Sequence, residues 1–68
     1  MEFSAQVQMA RKQLSLSQES LARALNVSYA TINRWENAKT KPNRMAQGVF
    51  YAFCESQGVR LGRDDSGF

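Results

Sequence analysis

Two short helical patterns, Gln18 to Leu25 and Tyr29 to Asn37, follow one another with only Asn26-Val27-Ser28 between them, and this junction constrains the chain more than any other feature. Ser17 is a good N-cap for the first pattern, and Glu19 falls in its first turn, where a negative charge suits the positive end of the helix dipole. Leu21, Ala22 and Leu25 form its apolar face. Asn26 tolerates the left-handed conformation that ends a helix, and Ser28 caps the next one. Two helices this short and this closely joined must share a core with whatever precedes and follows them.

Upstream, Phe3, Val7, Ala10 and Leu14 recur at helical spacing, one face of a helix over about Phe3 to Gln13. Downstream, Ala38-Lys39-Thr40-Lys41-Pro42 is a basic loop stopped by the only proline. A fourth helix follows over about Asn43 to Ser56, with Met45, Val49, Phe50 and Phe53 as its apolar stripe and Gly58 as its end. The chain reads as all-α, one domain over residues 1–57, whose second and third helices have the spacing of a helix-turn-helix. Residues 58–68 read as a flexible tail, a linker, or a short strand at Val59-Arg60-Leu61. A core in a 68-residue chain is marginal by surface-to-volume scaling and relies on tight helix packing. One cysteine and no histidine exclude an internal disulfide framework and a Cys/His zinc site. Cys54 is expected as a buried or half-buried side chain on the last helix, and Asp64-Asp65 as a solvated charge run.

The N-terminal residues lack the apolar run of a signal peptide, and no segment is long and apolar enough to span a membrane. With a free thiol, this predicts a reducing cytoplasm. Net charge is +3, but residues 1–44 carry +4 and residues 45–68 carry −1. Arg34, Lys39, Lys41 and Arg44 concentrate the excess, which suggests an anionic partner such as nucleic acid or a membrane surface.

Two charges face the wrong way for a solvated surface. On a helical wheel Glu36 lies about 40° from Ile32, on the apolar side of the third helix, and Arg11 lies about 40° from Val7, on the apolar side of the first. An unpaired charge there costs on the order of 3–5 kcal/mol. The two are therefore expected to meet as an ion pair, with Arg gripping the carboxylate through two hydrogen bonds. The opposite side of the third helix carries Ala30, Asn33, Arg34 and Asn37, with Tyr29 at its start. Arg can bond guanine O6 and N7 together, and Asn can bond adenine N6 and N7. Tyr29 and the Ala30 methyl suit a thymine methyl or a sugar edge. Gln18, at the start of the second helix, suits a phosphate, and Lys39, Lys41 and Arg44 suit the next ones.

The run Leu14-Ser15-Leu16-Ser17-Gln18-Glu19-Ser20-Leu21-Ala22-Arg23-Ala24-Leu25-Asn26-Val27-Ser28, continued by Ile32-Asn33-Arg34-Trp35-Glu36-Asn37, Lys39 and Pro42, resembles the Cro/repressor-type helix-turn-helix family, also called the xenobiotic-response-element family. With Arg11 the resemblance covers about residues 5–56. It implies a compact, lambda-repressor-like bundle of four or five α-helices that binds operator DNA in the major groove. By position it makes Tyr29, Ala30, Asn33 and Arg34 base readers. Gln18, Ser28, Asn37, Lys39, Lys41 and Arg44 become phosphate contacts. It also joins Arg11 to Glu36. Members usually have glycine where Ala38 stands, so either Asn37 takes the left-handed conformation or the loop differs.

The leading expectation is a sequence-specific regulator, a bacterial or phage repressor, without cofactor, metal or catalysis. A homodimer would set two third helices about 34 Å apart, one turn of DNA. Helix 4 and the tail, with Phe50, Tyr51, Phe53 and Phe68, are the candidates for that contact, although Phe50 and Phe53 fit ordinary core better and Tyr51 falls on the other side of the helix. The alternative is a protein-binding module, such as the antitoxin of a toxin–antitoxin pair. An enzyme is not expected, since the cysteine has no base and no acid pair has a cleft.

Overall fold

A computed structural model describes residues 2–38 and 42–61. Among them four helices run in the order α1 (Phe3–Gln13), α2 (Gln18–Leu25), α3 (Tyr29–Glu36) and α4 (Arg44–Ser56), with no strand. The starts of α2, α3 and α4 are capped by short polar side chains. Ser17 Oγ accepts from the Ser20 N–H at 3.0 Å, Ser28 Oγ from the Thr31 N–H at 3.1 Å, and Asn43 Oδ1 from the Ala46 N–H at 2.8 Å. Each satisfies a donor that the first turn leaves without an intrahelical partner. Asn37 and Asn43, expected inside helices, stand just outside them as C-cap and N-cap.

The helix ends rely on positive φ. Asn26 (60°) and Gly58 (72°) adopt it at little cost. Ser15 (56°) after α1 and Ala38 (57°) after α3 adopt it as well. The missing glycine is thus absorbed by Ala38 itself, while Asn37 stays at φ −91°. A Cβ in this conformation crowds the following carbonyl, at roughly 1–2 kcal/mol.

The core consists of Val7 and Ala10 from α1, Leu21, Ala22 and Leu25 from α2, Ile32 and Trp35 from α3, Phe50 and Cys54 from α4, and Leu61. α3 packs on α1 and α2, and α4 packs on α2. Phe3 links α1 to α3 and α4: its ring lies edge-on to Trp35 at 5.3 Å and to Phe50 at 5.2 Å between centroids. The result is the all-α, lambda-repressor-like arrangement, with α2 and α3 as the helix-turn-helix.

Three expectations for the C-terminal third need correction. Met45 and Val49 are not core: they are 78% and 47% exposed, and α4 turns Ala46, Phe50, Phe53 and Cys54 inward instead. That set also has helical spacing, and the small Ala46 and Cys54 allow a closer approach than Met45 would. Tyr51 does not point away from the core. Its ring packs on Phe3 and Phe50, and its hydroxyl donates to Gln6 Oε1 at 2.7 Å, partnering a glutamine that is only 4% exposed. Finally, Val59-Arg60-Leu61 is not a strand. After Gly58 the chain folds back, the Arg60 N–H donates to Gln13 Oε1 at 3.0 Å, the Gln13 amide donates in return to the Arg60 carbonyl, and Leu61 enters the core. Asp64, Asp65 and Phe68 lie outside the described residues.

Two outcomes follow. Replacing Ala38 by glycine relieves the left-handed strain but adds freedom to the unfolded chain, so Ala38→Gly should raise unfolding free energy by about 0.5–1 kcal/mol in a urea titration. The Cys54 thiol, 2% exposed, has its pKa pushed up by burial to about 11 from 9.0. Folding therefore favours the protonated thiol, and the unfolded state loses its proton first. Stability should fall as pH rises from about 9 to about 11. Cys54→Ala removes this component, which shows as a narrowing difference between the two proteins' unfolding free energies across that window.

Candidate nucleic-acid interface

The position of α3 is set by a carboxylate inside the bundle. Arg11 Nε donates to Glu36 Oε2 at 2.7 Å, and Arg11 Nη2 donates to Glu36 Oε1 at 3.0 Å. This is the two-pronged grip that a guanidinium makes on a carboxylate. The Glu36 side chain is 6% exposed and that of Arg11 24%. The hydrogen bond to Glu36 raises the Arg11 pKa, burial opposes this, and the carboxylate's charge adds to the rise. Arg11 Nη1 also donates to the Leu16 carbonyl at 3.3 Å, tying the break between α1 and α2 to the same point.

Two glutamines complete the junction. Gln18 Nε2 donates to Glu36 Oε1 at 3.0 Å, and Gln8 Nε2 donates to the Glu36 backbone carbonyl at 3.1 Å. One residue of α3 is thereby held by Arg11 and Gln8 from α1 and by Gln18 from α2. Periodicity did not reveal the two glutamines, because a long neutral side chain carries no penalty that demands a partner.

The expected site residues that the structure describes divide into three groups. Tyr29, 53% exposed, and Ala30, Arg34 and Asn37 stand in solvent on α3 and at its C-cap. Ser28 and Arg44 are exposed at the starts of α3 and α4, with the Ser28 oxygen engaged as a cap and 2.9 Å from Thr31 Oγ1. Asn33 and Gln18 are half-buried and belong to an internal chain of amides. Asn33 Nδ2 points to Gln18 Oε1 at 3.5 Å, and Asn37 Nδ2 donates to Asn33 Oδ1 at 3.0 Å. Gln18 thus opens α2 with its side chain turned toward Glu36 and Asn33. Lys39 and Lys41 lie outside the described residues.

α3 therefore has two sharply different sides. Ile32, Trp35 and Glu36 are buried, and Tyr29, Ala30, Arg34 and the capping Asn37 are presented together. A rigid helix with an exposed guanidinium, phenol and small methyl can enter a groove about 12 Å wide and meet base edges there. Residues 7–44, more than half of the chain, match the family model described as helix-turn-helix. The chain belongs to this family in its Cro/C1, xenobiotic-response-element form, whose members are DNA-binding transcription regulators. No curated protein and no solved structure gave a match. The matched segment includes Arg11, all of α2 and α3, Glu36 and the first residue of α4. No helix among the described residues is long and apolar enough to cross a membrane.

Removing one partner of the junction leaves the other charge buried. Arg11→Ala should lower unfolding free energy by about 3 kcal/mol, toward the smaller end of the range for buried pairs because Arg11 keeps some solvent contact. The double variant Arg11→Met with Glu36→Leu should lose less than the sum of the two single changes, measured as a double-mutant cycle by urea denaturation. Additive losses of a few tenths of a kcal/mol would mean that the pair behaves like a solvated surface contact.

Proposed function

We propose that this chain is a sequence-specific repressor that lays α3 in the major groove of an operator and excludes polymerase by occupying it. The observation that carries this reading is the division of α3: one side is anchored by a buried, multiply bonded Glu36, while Tyr29, Ala30 and Arg34 face outward on the same rigid turns. Arg34 is assigned to a guanine through O6 and N7, and Asn33 to an adenine edge. Tyr29 and Ala30 are assigned to a thymine methyl or sugar edge. Ser28, Asn37, Lys39, Lys41 and Arg44 are assigned to phosphates flanking the groove, setting register rather than sequence.

Arg44 adds support. It opens α4, where a cation is opposed by the positive end of the helix dipole. A nearby phosphate turns that unfavourable placement into a favourable one. Two copies would read half-sites about 34 Å apart. Of the side chains first considered for a dimer contact, Phe50, Tyr51 and Phe53 take part in this chain's own packing. In this reading the protein works in the cytoplasm.

Selection of bound sites from a random DNA pool gives the operator, and the symmetry of the site gives the number of copies. Arg34→Ala should cost roughly 1–3 kcal/mol of discrimination at one base pair, read by titrating single-base variants of the selected site. Arg44→Ala should weaken all sequences alike and make the log–log salt slope shallower by about 0.9, the contribution of one phosphate. Binding that is indifferent to DNA sequence, or salt-insensitive binding to a protein partner instead, would favour the protein-binding alternative.

A further inference from the structure

The amides that join Glu36 to the surface have a direction, and the direction follows from acceptor chemistry. A carboxylate offers no proton, so the Gln18 side chain must turn its NH2 group toward Glu36 Oε1, where Nε2 lies at 3.0 Å. Its Oε1 is then the atom left to face α3. An amide oxygen facing another amide oxygen would repel it, so Asn33 turns Nδ2 toward Gln18, at 3.5 Å. Asn33 Oδ1 is thereby aimed the other way, where it accepts from Asn37 Nδ2 at 3.0 Å. Each carboxamide is set by the one before it, starting from a carboxylate held by Arg11.

We propose that Gln18 is a positioning residue for DNA reading: it fixes which way the Asn33 carboxamide is presented to a base, and is not itself a phosphate contact. This rests on the function proposed above and replaces the phosphate role first expected of Gln18. One N–H of Gln18 is spent on Glu36 and its oxygen faces Asn33, so both bonds that fix its side chain run into the protein and one N–H is left over. Asn33 keeps one N–H and one lone pair, and these point from fixed positions. An unfixed carboxamide can turn over, exchanging donor and acceptor, and would then tolerate a base pair with the reverse pattern.

The test uses Gln18→Met, which keeps the length of the side chain without its hydrogen bonds, and Gln18→Ala. Both are titrated against the selected operator and its single-base variants at several salt concentrations. The expected result is a fall in preference of about 3- to 10-fold, the worth of one hydrogen bond, confined to the base pair whose preference Asn33→Ala also abolishes. Adding Gln18→Met to Asn33→Ala should change that preference no further, and the salt slope should stay as in the unchanged protein. A uniform loss across sequences with a slope shallower by about 0.9 would make Gln18 a phosphate contact and overturn the proposal. No change in either quantity would overturn it too.

A readout without DNA separates this idea from the functional reading. In the free protein the two side-chain N–H signals of Asn33 should differ strongly in chemical shift, and Gln18→Met should bring them together. Unaltered signals would defeat the relay even if DNA binding is real. Altered signals in a protein that prefers no DNA sequence would defeat the functional reading and leave the relay standing as structure. Thermal melts of each variant identify any that fail to fold; for these, Gln18→Leu, which fills the space without adding a charge, supplies the same comparison of preference against slope.

Discussion

A buried carboxylate without partners would be intolerable in a bundle this small, and the arrangement of helices around Glu36 answers that constraint. Arg11 supplies charge and two hydrogen bonds, Gln18 supplies a third donor, and Gln8 bonds the backbone of the same residue. Such a junction need not add much net stability, because both ions lose water when they meet. Its effect is on geometry. A forked guanidinium accepts a carboxylate over a narrow range of angles, so α1, α2 and α3 can meet in few other ways.

That geometry makes a short helix useful. α3 has only eight residues and would not hold its shape alone. Ser28 caps its start, Ile32 and Trp35 anchor its apolar side, and Glu36 fixes its last turn from two neighbouring helices. Directly after that turn Ala38 adopts a left-handed conformation that alanine accepts only under constraint. The chain tolerates the strain where it leaves the anchored helix. Stiff support beneath and polar groups above is what recognition of a duplex asks of a helix, since a small rotation would carry a guanidinium out of reach of a base edge.

The legible features in the sequence were those set by near neighbours. Ser17, Ser28 and Asn26 act locally, and all three take the cap or turn conformation that their chemistry favours. Arg11 and Glu36 were legible for another reason: a charge on an apolar face carries a cost so large that a partner can be inferred across 25 positions. Gln8 and Gln18 carried no such signal, nor did Gln6, whose bond to Tyr51 closes a polar contact inside the core. In the α4 stripe Phe50 and Phe53 face the core as periodicity suggests, but Met45 and Val49, the larger apolar side chains, lie outward and the smaller Ala46 and Cys54 lie inward.

The sequence by itself determined the four helices, the turn between the second and third, and the need for one inward acid to find one inward base. These depend on relations of three or four residues, or on an energy too large to leave unmet. Only the tertiary structure decided which face of α4 closes the core, that Leu61 returns to it, and that Gln18 looks inward to Glu36 and Asn33. A neutral side chain finds its partner according to the distance and angle between helices, and those exist only once the whole bundle has packed.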